Sequence, residues 1–194
     1  MSAQPYETQP MSEAEYLAFE DGDIRYEYVN GEIYAMTGAT IRHNTISHNI
    51  DRTLGNQLED KDCIVNSSET RVKVDAKKSY RYPDIVVVCG KIDYLEKRRD
   101  TITNPTVLVE VLSPSTALVD INQKLGEYTE IPSLQEYVIV AQDEYRVERY
   151  LRRDDGSWLY NRAIGLDGVM NLPSIGCKLA LSTVYAKLDL LDDE

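Results

Sequence analysis

Two stretches of this chain, residues 82–89 and 106–112, are built around runs of valine, isoleucine and leucine. A strand that shows one face to water alternates apolar and polar residues, whereas a continuous apolar run is buried on both faces. Strands of that kind sit inside a sheet covered by helices, which predicts an α/β fold.

The rest of the chain fills in this frame. Ser12 with Glu15 three residues on forms a capping box that opens a short helix ending before Asp21-Gly22. Asn30-Gly31 tolerates the positive φ angles of a tight turn and joins 25–29 to 32–36 as a hairpin. Ile46, Ile50, Leu54 and Leu58 recur every four residues, so 41–58 reads as an amphipathic helix. The stretch 70–74 alternates like a strand, a second helix is expected near Asp120, and 137–141 is another short apolar strand. The predicted core is therefore helix, three strands, helix, strand: a mixed sheet flanked by helices, with an N-terminal hairpin. Alternation at 146–151 and 158–163 adds C-terminal strands before a short helix near Ser182. With 194 residues and no repeat or linker, residues 11–194 read as one domain behind a loose tail over 1–10.

Composition excludes several functions. Lys and Arg number 21 against 33 Asp and Glu, a net charge of −12, which argues against broad coating of nucleic acid. Local clusters remain at Arg71, Lys73, Lys77, Lys78 and Arg81, and at Lys97, Arg98 and Arg99; either a substrate cleft or a solvated face fits them. Tyr80, Tyr82 and Tyr94 lie among these clusters, in a chain with 14 tyrosines. Glycine-rich phosphate loops are absent, and His43 and His48 do not form a zinc-protease motif. No basic leader followed by an apolar stretch opens the sequence, and no apolar run is long enough to span a bilayer. Cys63, Cys89 and Cys177 are widely spaced without a C-x-x-C pair, as expected of a protein of the reducing cytoplasm.

The chemical signal lies inside the two apolar runs. Asp84 follows Pro83 in the first, and Glu110 interrupts the second. Buried carboxylates need a partner. Side chains alternate along a strand, so Leu108, Glu110 and Leu112 share one face, and Glu110 is placed to meet Asp84 across neighbouring strands. Two hard oxygen donors suit Mg²⁺ or Mn²⁺, which bind one or two carboxylates and keep several waters. The alternative is a pair of carboxylates held by Lys or Arg.

The succession 26–32 (YEYVNGE), His43, Pro83-Asp84 with its apolar run, 109–116 (VEVLSPST), Asp120, Lys124, Tyr128 and 136–140 (EYVIV) resembles the Uma family of bacterial restriction endonucleases over roughly residues 12–190. That family belongs to the PD-(D/E)XK nuclease superfamily, whose core has the element order read above. The resemblance implies a homodimeric endonuclease that hydrolyses DNA phosphodiester bonds with Mg²⁺ or Mn²⁺ held by Asp84 and Glu110.

The sequence departs from the superfamily pattern at Leu112, where a lysine is usual. Lys124 matches a lysine of the Uma pattern and stacks with Asp120 and Tyr128 on the predicted helix, so it is the candidate to supply the missing charge; a surface pair with Asp120 is the alternative. His43 matches a family histidine, against an ordinary local hydrogen-bonding role, and Glu27 matches an acidic family position, against a hairpin surface charge. The competing function is a nuclease fold without activity, kept as a binding or regulatory module.

Overall fold

The computed structural model describes residues 10–19, 24–36, 38–96, 98–112 and 117–190, and of 117–122 only the backbone. The expected tail (Pro10 apart), the Asp21-Gly22 stop, Lys97, the 113–116 segment and the Asp120 side chain lie outside the described residues.

Ser12 caps α1 (Glu13–Ala18), and the Glu15 carboxylate takes the Ser12 N–H in return. Strands β1 (Tyr26–Val29) and β2 (Glu32–Ala35) form the hairpin, with Asn30 and Gly31 at φ 49° and 101°. Thr40 caps α2 (Ile41–Leu58) through the His43 N–H, and the expected stripe Ile46, Ile50, Leu54, Leu58 is buried. There follow β3 (Cys63–Ser67), β4 (Arg71–Val74), β5 (Ser79–Arg81), β6 (Ile85–Cys89), β7 (Tyr94–Leu95), β8 (Arg98–Ile102) and β9 (Val107–Leu112). Helix α3 (Ala117–Tyr128) leads to β10 (Glu136–Ala141), β11 (Arg146–Arg152), β12 (Trp158–Ile164), β13 (Val169–Leu172), β14 (Cys177–Ala180) and α4 (Leu181–Val184).

The strands form a core sheet, β12-β11-β10-β9-β6-β3, a smaller sheet, β2-β1-β5-β4-β8-β7, and the ribbon β13-β14. In the core sheet β9 and β10 run parallel, joined by the α3 crossover, and the remaining pairs are antiparallel. Helices α2 and α4 and the ribbon cover one face over Val107, Val109 and Val111. Leu108 and Leu112 look the other way, toward Tyr128 and toward Val72, Val74 and Ile102 of the smaller sheet. Both faces of β9 are thus covered, as its nearly continuous apolar run requires.

Three details differ from the sequence reading. The run 82–89 is not one strand: the chain leaves the smaller sheet after Arg81, turns through Pro83-Asp84 and enters the core sheet at Ile85. Proline has no N–H for a ladder, so the crossing falls there. Second, the stretch 70–74 belongs to the smaller sheet, and the first of the three core strands is β3. Third, the reduced state expected of the cysteines does not hold: Cys63 and Cys89 are register partners on β3 and β6 and are joined in a disulfide, while Cys177 is a buried thiol. Among the described residues no helix is long and apolar enough to cross a membrane.

Candidate active site

The crossing at Pro83-Asp84 delivers a carboxylate to the top of β6, beside β9. Since Ile85 pairs with Val109, continuing the register sets Asp84 opposite Glu110. Asp84 Oδ2 accepts the Val111 N–H at 2.7 Å, fixing the side chain against β9. From the first turn of α2, His43 Nε2 donates to the same oxygen at 3.2 Å.

Glu110 is 4% exposed and is met from α3, where Lys124 Nζ donates to its Oε1 at 3.0 Å and the Tyr128 hydroxyl at 2.8 Å. Four residues make one helical turn, so Lys124 and Tyr128 reach one atom from successive turns. Leu112, where the superfamily carries lysine, packs in the apolar layer under α3. The third carboxylate comes from β1. Glu27 Oε1 accepts the Tyr82 N–H at 3.1 Å and lies 3.9 Å from Lys124 Nζ, and its Oε2 accepts Arg81 Nη1 at 2.7 Å. Arg81 then grips Glu127 of α3 with two bonds, at 2.9 and 2.7 Å. All five residues singled out in the sequence, Glu27, His43, Asp84, Glu110 and Lys124, fall in this cluster.

The cluster is short of positive charge. Glu27, Asp84, Glu110 and Glu127 face Arg81 and Lys124, leaving two negative charges uncompensated apart from the proton His43 can share. The deficit appears at Glu110. Burial pushes its pKa up, Lys124 pulls it down, and Asp84 and Glu27 raise it again, to about 7. Burial would also raise Glu27, but Lys124 and Arg81 hold it below its ordinary value. Lys124 is driven the other way: burial opposes its charge, and Glu110 and Glu27 outweigh burial and keep it protonated. In His43 burial is likewise outweighed, here by Asp84, and the pKa is raised.

These residues fit a hydrated divalent cation. Asp84 and Glu110 bring two carboxylates together, and among the described residues Asp84 Oδ1 and Glu110 Oε2 take no hydrogen bond. A single M²⁺ also matches the charge deficit. Among the described residues no set of three or more His, Cys, Asp or Glu closes around one point, so water would complete such a shell. A cleft of about 250 Å³ opens beside Asp84, walled by His43, Ser47, His48, Ser67 and Ser68.

Two arginines of the first basic cluster, Arg71 and Arg81, turn inward. Arg71 is buried against Thr101 and Asp100 with Tyr16, Tyr80 and Tyr82 around its guanidinium, and Arg81 serves Glu27 and Glu127. Glu127 was missed in the sequence. Its signal was its place three residues after Lys124 and next to Tyr128, on the inward side of α3.

Comparison with known proteins agrees with this fold. A family described as "Putative restriction endonuclease", Uma2, matches residues 13–182. Two relatives from Synechocystis sp. are uncharacterized proteins. One, sll1609, is 36% identical over 159 residues, covering 81% of this chain and 90% of the relative. The other, slr1290, is 34% identical over 179 residues, covering 92% and 93%. The fold is similar to a crystal structure from Anabaena variabilis ATCC 29413 described as "a putative nuclease belonging to DUF820", with a TM-score of 0.76, 17% identity, and coverage of 91% of this chain and 98% of that one.

Proposed function

The chain belongs to the Uma2 family, and on that premise we propose that it is a metal-dependent endonuclease hydrolysing DNA phosphodiester bonds, acting as one domain over residues 11–194. The observation that carries the reading is Lys124, whose ammonium lies 3.0 Å from Glu110 while Leu112 leaves the usual lysine position empty of charge. An ammonium beside the acidic site is one of the groups that serve phosphoryl transfer, since charge builds on the phosphate oxygens as the bond breaks.

Asp84 and Glu110 would hold Mg²⁺ or Mn²⁺. When bound, such an ion acidifies a water and polarises the scissile phosphate. The chain's own residues do the rest. His43 and the Val111 N–H fix the orientation of Asp84, and the Tyr128 hydroxyl does the same for Glu110. Glu27, itself clamped by Arg81 and the Tyr82 N–H, keeps the Lys124 ammonium over the site. Two copies related by a two-fold axis belong to this reading, because the strands of a duplex are so related.

The test is a cleavage assay on plasmid and single-stranded DNA with Mn²⁺, comparing wild type with Asp84→Ala. Metal-dependent cleavage by wild type alone supports the reading. Equal activity in both proteins, or none in either with metal bound, refutes it.

A further inference from the structure

Strand β12 ends the core sheet, and among the described residues it pairs with β11 alone. Just beyond its two ends, the Gly165 N–H donates to the Tyr145 carbonyl and the Arg153 N–H to the Ser157 carbonyl, both at 2.8 Å. Residues that exchange bonds in an antiparallel ladder alternate along each strand. The odd-numbered residues of β12 therefore turn their backbone groups to β11, and Trp158, Tyr160, Arg162 and Ile164 turn theirs outward. Natural sheet edges are usually short, bulged, or guarded by lysine or proline. This one is seven residues long, reads WLYNRAI, and contains no lysine and no proline.

We propose that β12 is the interface of a two-fold dimer, pairing antiparallel with β12 of a second copy about an axis at Asn161. The four outward residues are symmetric about position 161, so every outward N–H and C=O meets a complement. Tyr160 then stands opposite Arg162 of the partner subunit, ring against guanidinium, and Trp158 stands opposite the partner's Ile164. The surroundings match. Five of the nine exposed large apolar side chains among the described residues, Leu159, Tyr160, Ile164, Leu166 and Val169, fall on β12 or just after it. Residues 145–170 carry five arginines against four acidic residues in a chain of net charge −12, so two copies meet here without the repulsion found elsewhere. The pairing names the contact surface for the dimer of the nuclease reading, yet needs no nuclease chemistry.

Sedimentation of the full chain tests it without reference to activity. Wild type at micromolar concentration is expected at twice its 22.1 kDa. Arg162→Pro removes an outward N–H that β11 does not use, and is expected to give a monomer with native circular dichroism. Tyr160→Arg sets like charges opposite each other twice in the dimer and should weaken Kd roughly tenfold. The exchange Tyr160→Arg with Arg162→Tyr restores the cross-strand pair and should return Kd close to wild type. Both positions adjoin Glu148, one through the tyrosine hydroxyl and one in register, so the exchange keeps local neighbours. If Arg162→Pro misfolds, the single and exchanged variants decide. A wild type that stays monomeric, or a dimer indifferent to Tyr160→Arg, overturns the proposal.

Discussion

Replacing Glu110 by Gln in the metal-free protein is expected to raise its stability at neutral pH. Its carboxyl, ordinarily near 4.5, is raised to about 7 by burial, against the pull of Lys124, and by Asp84 and Glu27. Below pH 4.5 the folded and unfolded chains both hold this proton and it costs nothing. As pH rises toward 7 the unfolded chain releases the proton and the folded chain retains it, so stability drains at about 1.4 kcal/mol per pH unit, about 3 kcal/mol in all. Above 7 both forms are ionised and the loss stops growing. Glutamine never ionises and escapes this loss, and the attraction of Lys124 for the carboxylate is already contained in the raised pKa. The gain at pH 8 is about 3 kcal/mol, or roughly 6–12 °C in Tm for a chain this size. Urea unfolding with EDTA at pH 5 and pH 8 measures it: the variant should trail or equal wild type at pH 5 and lead it at pH 8. Mn²⁺ should then stabilise wild type at pH 8 and leave the variant unmoved. A difference between the two proteins that is the same at both pH values would refute the account of Glu110.

Calorimetry with Mn²⁺ should show binding lost in both Asp84→Asn and Glu110→Gln, because each keeps shape and removes ligand charge; unchanged affinity in both sinks the shared site. Lys124→Ala should keep Mn²⁺ affinity near wild type and slow cleavage by roughly two orders of magnitude or more, and Leu112→Lys in that background should recover part of the rate once folding is verified. Cleavage by Lys124→Ala at the wild-type rate under metal saturation would make the lysine a structural partner only. Replacing Cys63 and Cys89 by Ser opens a loop with a sequence separation of 26 and should cost about 3 kcal/mol in chemical denaturation. Metal affinity should be unaffected, because the bond sits at the far end of β6 from Asp84.

What could be read in the sequence was local or periodic. Ser12 with Glu15, Asn30-Gly31 and the Ile46-to-Leu58 stripe signal their elements through bonds and spacings of a few residues, and all three are present. Strand parity placed Glu110 with Leu108 and Leu112, and helical spacing put Lys124 and Tyr128 on one side of α3. Periodicity reports that a face is buried, not what buries it. Hence the sheet to which 70–74 belongs and the change of sheet at Pro83 were hidden. The same limit concealed Cys63–Cys89, adjacent only through register, and the inward turn of Arg71 and Arg81. β3 escaped notice because its residues are only partly buried and its five-residue sequence, CIVNS, carries no strong pattern.

The site is assembled across two sheets. Glu27 and Arg81 come from the smaller sheet, and Lys124 and Glu127 from the helix lying on the core sheet. Opening of a protein is seldom all or none, and units that dock through fewer contacts come away at lower free energy than the core. The smaller sheet docks on the core sheet through Val72, Val74 and Ile102. Its departure would strip Lys124 of Glu27 and leave Glu127 without Arg81, while α2, β6, β9 and β10 remained folded. In the nuclease reading, the integrity of the site therefore depends on the docking of the smaller sheet as well as on the fold of the central strands.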